Sequence, residues 1–274
     1  MSIKSIGPAG IPSLGLGTFK MEADKTRGLV DAALAEGYRH IDTAQAYENE
    51  KEVGQGMRDS DVPRDQVFLT TKILPQDFAA DDFRAAAERS LKALDTDYID
   101  LLLLHWPSKE VPLSETLPVM DALIAEGKIR HAGISNFTIA LTKEAQGILE
   151  APIAANQVEV HPFLDQTKLL GFLEQQGIPF EAYAPLARGK VIGDPTLTEI
   201  AGAHGVSEAE IAVAWVLTKP NAIAIPKTSK KERLASNLHA AEVTLTEDEV
   251  RRIDGLASKD GRLISPDSMA PDWD

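Results

Sequence analysis

Four residues that can move or hold a proton sit at the ends of three apolar runs. Asp42 lies near the end of "RHIDTA", Lys72 follows "VFLTT", and His105 follows the leucines of "YIDLLLLHWP"; Tyr47 comes shortly after Asp42. Four leucines in a row read as a strand buried on both faces, a setting in which an imidazole needs either a neighbour or a reaction. A lysine ending an apolar run loses its hydration, and an unpaired buried ammonium is expensive, so Lys72 needs a carboxylate on the adjacent strand, and Asp42 is the candidate. Taken singly, His105 could be a satisfied core histidine, Asp42 a turn cap and Tyr47 loop packing. Taken together they describe a reaction. A phenol beside an ammonium is expected to ionise more easily than its unperturbed pKa of about 10. Asp42 would keep Lys72 charged, and His105 would hydrogen-bond the oxygen that Tyr47 protonates. This is a general acid with electrostatic support, aimed at a carbonyl oxygen. Reduction of a carbonyl also needs a hydride, which no side chain supplies, so the constellation implies a nicotinamide bound nearby.

Eight short apolar runs must carry these residues: 14–18, 39–44, 67–73, 98–106, 129–135, 155–161, 179–185 and 222–227. Amphipathic stretches lie between them. "TRGLVDAALAEG" places Leu29, Val30, Ala33 and Leu34 at helical spacing, and "DDFRAAAERSLKAL" does the same with Phe83, Ala86, Ala87, Leu91 and Leu94. Gly37, Gly127, Gly177 and Gly205 read as helix stops. Strand–helix alternation implies parallel strands, and eight units in about 250 residues is the size of a closed (β/α)₈ TIM barrel. An open doubly wound sheet is the alternative. No linker or composition break divides the chain, so residues 1–274 are expected to form a single domain. "IKSIGPAGIPSLG" precedes the first barrel strand and reads as a small hairpin under the barrel. Active sites of such barrels lie at the carboxyl ends of the strands, which is where Asp42, Lys72 and His105 fall.

The two glycines of "GLGTFK" match only part of a dinucleotide fingerprint, since Lys20 stands in the third place; a tight turn is the other reading. A better anion site follows the eighth run. "IPKTSKKER" holds Lys227, Lys230, Lys231 and Arg233 against one acid, in a chain of formal net charge -14, and loops after the last barrel strands commonly bind phosphate. Arg188 and Lys190 after the seventh run could join it or remain surface charge. The acidic surface argues against nucleic-acid or anionic-membrane partners, and the absence of cysteine removes thiolate chemistry. "MSIKSIGPAG" lacks the apolar core of a signal peptide, so a cytoplasmic protein is expected.

These motifs are familiar. "LGLGTF", "GYRHIDTAQAYENEKEVG", "TTKI", "YIDLLLLHWP", "GISNF", "NQVEVHPF", "AYAPLARG" and "IPKTSKKERLASN" span nearly the whole chain. The sequence resembles the aldo-keto reductases and, including the tail "DGRLISPDSMAPDWD", their bacterial 2,5-diketo-D-gluconate reductase branch of the B type. The resemblance implies a (β/α)₈ barrel, with a C-terminal loop over its mouth, that reduces small aldehydes and ketones with NADPH. It implies Tyr47, Asp42, Lys72 and His105 as the catalytic group, with Tyr47 as proton donor. Phe19, Leu74 and Trp106, with Tyr47 and His105, line the implied substrate pocket. Ser135, Asn136 and Gln157 match residues that hydrogen-bond the nicotinamide carboxamide, and Tyr183 matches the residue that stacks on its ring. Gly17, Thr18 and Asp42 match positions beside the cofactor, and Pro185 and Leu186 the segment around the pyrophosphate. Lys227, Thr228 and Arg233 match the grip on the 2′-phosphate, and Asn237 a contact with adenine. Phe19 and Leu74 replace the tryptophans of many relatives, which points to small rather than bulky aryl substrates, such as a sugar ketoacid or a methylglyoxal-like aldehyde. Ser236 replaces a glutamate that faces adenine in several relatives.

Other readings stay open on the sequence. Lys72 could be the nucleophile of a Schiff-base aldolase, or the chain could be a non-catalytic nicotinamide-binding redox sensor. No His-x-His or His-Glu-x-x-His pair supports a metal site. Arg262 reads as a surface arginine, with an acidic substrate as its other possible partner. A closed barrel needs no second copy, so a monomer is expected.

Overall fold

Apolar runs that had to be buried on both faces form the staves of a closed barrel. The computed structural model describes residues 3–274. A hairpin of β1 (Ser5–Ile6) and β2 (Ile11–Pro12) comes first. The barrel strands are β3 (Leu16–Gly17), β4 (His40–Asp42), β5 (Phe68–Ile73), β6 (Ile99–Leu104), β7 (Ile129–Ser135), β8 (Asn156–Glu159), β9 (Phe180–Tyr183) and β10 (Ala222–Ala224). They pair in sequence order and in parallel throughout. The helices between and after them are α1 (Ala23–Glu36), α2 (Glu50–Asp59), α3 (Ala80–Leu94), α4 (Leu113–Ala125), α5 (Ile139–Gln146), α6 (Thr167–Gln175), α7 (Pro195–His204), α8 (Glu208–Leu217), α9 (Leu234–His239) and α10 (Glu247–Asp254). Each of the eight expected strands is present within its expected range, and the architecture is the (β/α)₈ TIM barrel rather than an open sheet. No single described helix is long and apolar enough to cross a membrane.

The leucines of β6 show why the run had to be continuous. Leu102 and Leu104 belong to the large core between strands and helices, while Leu101 and Leu103 point the other way and meet Ile11 and Ile223 inside the barrel. Ile6 and Ala9 of the hairpin pack on the same inner cluster, so the hairpin plugs one end of the barrel. On α3, Phe83, Ala86, Ala87 and Leu94 are buried at helical spacing. Gly37 and Gly205 end α1 and α7 at φ values of 113° and 67°, a region where other residues are strained.

The barrel closes where its first and last strands meet. Leu14 bridges Ala224 and Gly17 bridges Lys227, both in parallel. The Gly15 N–H donates to the Ala224 carbonyl at 2.9 Å and the Gly17 N–H to the Pro226 carbonyl at 3.2 Å. Neither glycine has a positive φ, so the tight-turn reading of "GLG" does not hold. They serve close approach: a Cβ on Gly15 would lie 2.7 Å from the His40 ring, and one on Gly17 2.8 Å from the Ile225 carbonyl oxygen.

Candidate active site

Asp42 is the last residue of β4 and Lys72 lies near the end of β5, on the neighbouring stave. Both are buried, Lys72 completely. The Lys72 ammonium donates to Asp42 Oδ1 at 2.7 Å, to the Thr43 carbonyl at 2.8 Å and towards Tyr47 Oη at 3.2 Å. Tyr47 is placed by the short 3₁₀ turn after β4, Gln45–Tyr47. Its ring meets His105 edge-on at 5.8 Å and Phe19 at 5.1 Å. His105 follows directly on β6, with its N–H bonded to the Ile73 carbonyl. The four residues expected to act together therefore do meet, at the carboxyl ends of three adjacent strands.

Burial dominates the electrostatics here. It raises the Tyr47 phenol above its ordinary pKa, against the opposing pull of Lys72. Lys72 pulls the phenol towards ionisation as expected, but the expected net fall below the ordinary value does not occur, because dehydration of a phenolate outweighs the nearby ammonium. Tyr47 holds its proton at neutral pH, as a donor must. Lys72 itself loses by burial but gains more from Asp42 and Tyr47, and its pKa lies above the ordinary lysine value. A charged, fully paired ammonium is a poor nucleophile, which removes the basis of the aldolase reading. His105 is pushed down to about 3 by burial and by Lys72, so it is neutral, and its Nδ1 has no hydrogen-bond partner among the described residues.

A pH dependence of stability follows. Burial pushes His40 down to about 4 and His105 to about 3, from an ordinary 6.5, and pushes Glu181 up to about 7 from 4.5. Between about pH 6 and about pH 5 the unfolded chain holds close to two protons at the histidines, while the folded chain holds only the one at Glu181. Stability present above pH 6.5 is therefore lost on acidification, by about 1.4 kcal/mol per pH unit from these groups. Urea unfolding at pH 7.5, 6.0 and 5.0 measures the slope; equal stability at all three would contradict it.

A cavity of about 910 Å³ opens over this group. Tyr47, His105, Trp106, Phe19 and Leu74 line one part of it. Ser135, Asn136, Gln157 and Tyr183 line another, and Gly17, Asp42, Pro185, Leu186, Lys227 and Arg233 also reach it. Lys72 stands behind Asp42 and Tyr47 and is not exposed to it. Thr18, Thr228 and Asn237 are buried outside its lining; Thr228 Oγ1 instead bonds the main chain of its own loop at Lys230. Arg188 reaches the cavity, whereas Lys190 lines a separate space of about 370 Å³. Lys20 also lines the large cavity, as do Leu263, Ile264, Ser265, Pro266 and Met269 of the C-terminal segment.

The polar floor is tightly connected. Gln157 Nε2 donates to Asp42 Oδ2 at 2.8 Å and to Glu181 Oε2 at 2.9 Å, so both its protons are used and only its carbonyl oxygen is left for a ligand. Tyr183 Oη donates to Asn136 Oδ1 at 2.7 Å, and Asn136 Nδ2 donates to the His105 carbonyl at 3.0 Å and to Ser135 Oγ at 3.1 Å. This network holds the Tyr183 ring on the cavity wall. It suits a flat amide-bearing ring at that point and basic groups for phosphates further along, so the residues present fit a nicotinamide dinucleotide.

Two features were not read from the sequence. Arg262 is not a surface residue: its side chain is 15% exposed, lies over the Trp273 ring at 3.6 Å and approaches Glu159 Oε2 at 3.8 Å. Glu159 also accepts the Leu263 and Ile264 N–H groups, at 2.8 and 3.1 Å, which fastens the C-terminal segment to the end of β8 beside the mouth. Glu181, the other, is fully buried on β9. Alternation with Tyr183 was the signal that it faces inward. Among the described residues no group of histidines and carboxylates could hold a metal ion.

Comparisons agree with this geometry. The Aldo/keto reductase family profile matches residues 10–258. Methylglyoxal reductase DkgB of Escherichia coli O157:H7 is 40% identical over 267 residues, covering 96% of this chain and 99% of that one. Glyoxal reductase of Bacillus subtilis (strain 168) is 38% identical, covering 94% of each. A solved structure provisionally assigned as a 2,5-diketo-D-gluconic acid reductase B superposes with a TM-score of 0.97 at 43% identity, covering 100% of this chain and 98% of that one. With the barrel, the Asp42–Lys72–Tyr47–His105 group and whole-length kinship to carbonyl reductases, this protein belongs to the aldo/keto reductase family and is an oxidoreductase.

Proposed function

We propose that this chain, working as one domain and as a monomer, reduces small aldehydes and ketones with NADPH in preference to NADH. One observation carries the chemistry: Lys72 Nζ sits 2.7 Å from Asp42 and 3.2 Å from Tyr47 Oη, under a cavity that Tyr47 and His105 line. A bound reduced nicotinamide supplies the hydride. Tyr47 gives its proton to the carbonyl oxygen, and Lys72, held by Asp42, stabilises the phenolate that remains. Neutral His105 hydrogen-bonds the same oxygen and orients it. Gln157 offers its free carbonyl oxygen to a carboxamide, with Ser135 and Asn136 beside it, and Tyr183 supports the ring. Gly17, Asp42, Pro185 and Leu186 complete the surroundings of the cofactor, with Thr18 buried behind Gly17.

Phe19, Leu74 and Trp106 form the substrate wall, with small oxo-aldehydes and sugar ketoacids as the favoured classes. The relatives named as methylglyoxal and glyoxal reductases support the first class, and the solved relative the second. NADPH oxidation measured against a panel of methylglyoxal, glyoxal, sugar ketoacids and aryl ketones tests the reading. Turnover of none of them would overturn it, and higher kcat/KM for aryl ketones would overturn the assignment of the wall.

Cofactor choice rests on Lys227 and Arg233 in the cavity, with Thr228 and Asn237 supporting their loop and helix. A 2′-phosphate gives arginine two parallel hydrogen bonds that the hydroxyl of NADH cannot match. Charge-assisted hydrogen bonds are worth about 1.5–3 kcal/mol net, so NADPH binds at least about tenfold more tightly. Arg233→Ala raises KM for NADPH and leaves that for NADH nearly unchanged. Equal weakening of both, in a fluorescence titration, would mean that Arg233 supports the fold and does not read the phosphate.

A further inference from the structure

Beneath the catalytic group lies a second acid–base pair that the reaction as described does not use. Glu181 on β9 and His40 on β4 are both fully buried, and Glu181 Oε1 stands 3.3 Å from His40 Nε2. His40 Nε2 also meets Thr70 Oγ1 at 3.0 Å. Glu181 Oε2 accepts from Gln157 Nε2, but among the described residues no donor reaches Oε1. An ionised carboxylate with one oxygen left bare in a dry interior is costly. A proton on Oε1, facing the imidazole nitrogen 3.3 Å away, lessens that cost. The same Gln157 amide grips Asp42, which grips Lys72, which touches Tyr47. A continuous chain of hydrogen bonds, buried as far as Lys72, thus joins Glu181 to the phenol.

We propose that Glu181 and His40 form a proton-holding pair under the catalytic group, and that the charge on Glu181, felt through Gln157, Asp42 and Lys72, sets how readily Tyr47 gives up its proton. Glu181 is a positioning residue in this scheme. It touches neither the substrate nor the reacting atoms.

The sign of the effect follows from the surroundings. The charged or titratable groups facing Glu181 are His40 and Asp42 on β4, Lys72 on β5 and Tyr47 beyond them; the three residues of β10, Ala222, Ile223 and Ala224, carry none. With Glu181 neutral, the positive charge of Lys72 is balanced by Asp42 alone. When the Glu181 O–H bond breaks and the proton leaves to bulk water, a second negative charge shares Lys72. Tyr47 then holds its proton more firmly and donates it more slowly. His105 is already neutral, and Tyr47 and Lys72 titrate well above neutrality. Asp42 is also raised by burial but is held ionised by the Lys72 ammonium at 2.7 Å, whereas Glu181, raised by burial to about 7, has no cation at that distance and is the carboxyl placed to change charge near neutrality.

The inference rests on Tyr47 as the proton donor, and its test is separable from that reading. In wild type, kcat for aldehyde reduction at saturating NADPH declines by about threefold to tenfold as pH rises through neutrality, the size expected of one added buried charge on a general acid. Glu181→Gln keeps the shape and the Gln157 contact but cannot ionise, so this decline disappears while the enzyme remains active. A decline that persists in Glu181→Gln, or a wild-type profile flat through neutrality, overturns the proposal. Infrared difference spectra between pH 5.5 and 8.5 read the pair directly and do not depend on turnover. A protonated-carboxyl band that is lost at high pH and absent in Glu181→Gln is expected; no such band in wild type overturns the proposal. Failure of the proton-donor reading would show separately, as an active Tyr47→Phe enzyme.

Discussion

Tyr47→Phe reduces turnover by roughly 10²–10⁴-fold, the usual worth of a positioned proton donor, and leaves the fold intact. The substitution removes one oxygen and nothing else. The ring keeps its edge contacts with Phe19 and His105 and stays under the Lys72 ammonium, 4.9 Å from its centroid. Lys72 loses its weakest partner, at 3.2 Å, and keeps Asp42 and the Thr43 carbonyl. Cofactor affinity changes little, because the phenol addresses the substrate oxygen. Steady-state rates with methylglyoxal, set beside a fluorescence titration with NADPH, separate the two effects. A variant within a few-fold of wild type would remove Tyr47 from the reaction.

Asp42→Ala costs both stability and rate. It takes the carboxylate away from an ammonium with no solvent exposure, and it also strands one proton of the Gln157 amide. Breaking a buried pair by deleting one partner costs roughly 3–5 kcal/mol, most of it the uncompensated charge left behind. In a chain of this length that lowers the melting temperature by about 6 °C or more. Asp42→Asn, which fills the same space and can still accept from Lys72, lies between wild type and Asp42→Ala. Melting curves for the three proteins decide; unchanged melting in Asp42→Ala would mean that Lys72 is neutral or hydrated in the folded protein.

Much of this site was legible because the barrel turns sequence position into spatial position. Three consecutive strands ended in Asp42, Lys72 and His105, and parallel pairing in sequence order can only bring such ends together. The Lys72–Asp42 pair followed from the cost of burying an ammonium, and the barrel from eight strand-to-helix changes of period. The ionisation of Tyr47 was misread because the ammonium could be seen in the sequence and the depth of burial could not. Arg262 was misread for a different reason. Its partners, Glu159 and Trp273, lie far away along the chain or in a tail of irregular backbone, where no periodicity says which way a side chain faces. Glu181 hid inside an apolar strand, and its partners Gln157 and His40, the latter two residues before Asp42, show why it is tolerated there.

The closing seam of the barrel has a consequence for how the protein holds together. Leu14 and Gly17 meet Ala224 and Lys227 across most of the length of the chain. Such a contact is the last to be rewarded during folding, since the entropy of closing the long intervening loop must be met first. It rests on few hydrogen bonds, between strands of two and three residues. Gly17 on one side, and Ile225 and Lys227 on the other, also line the large cavity. A ligand filling that cavity therefore touches both lips of the seam and favours their joined state. By mass action, ligand at a hundred times its dissociation constant would add about 2.7 kcal/mol against opening. The seam is thus a place where ligand binding and mechanical integrity are linked: the staves close on their own, and a ligand that bridges both lips adds a hoop.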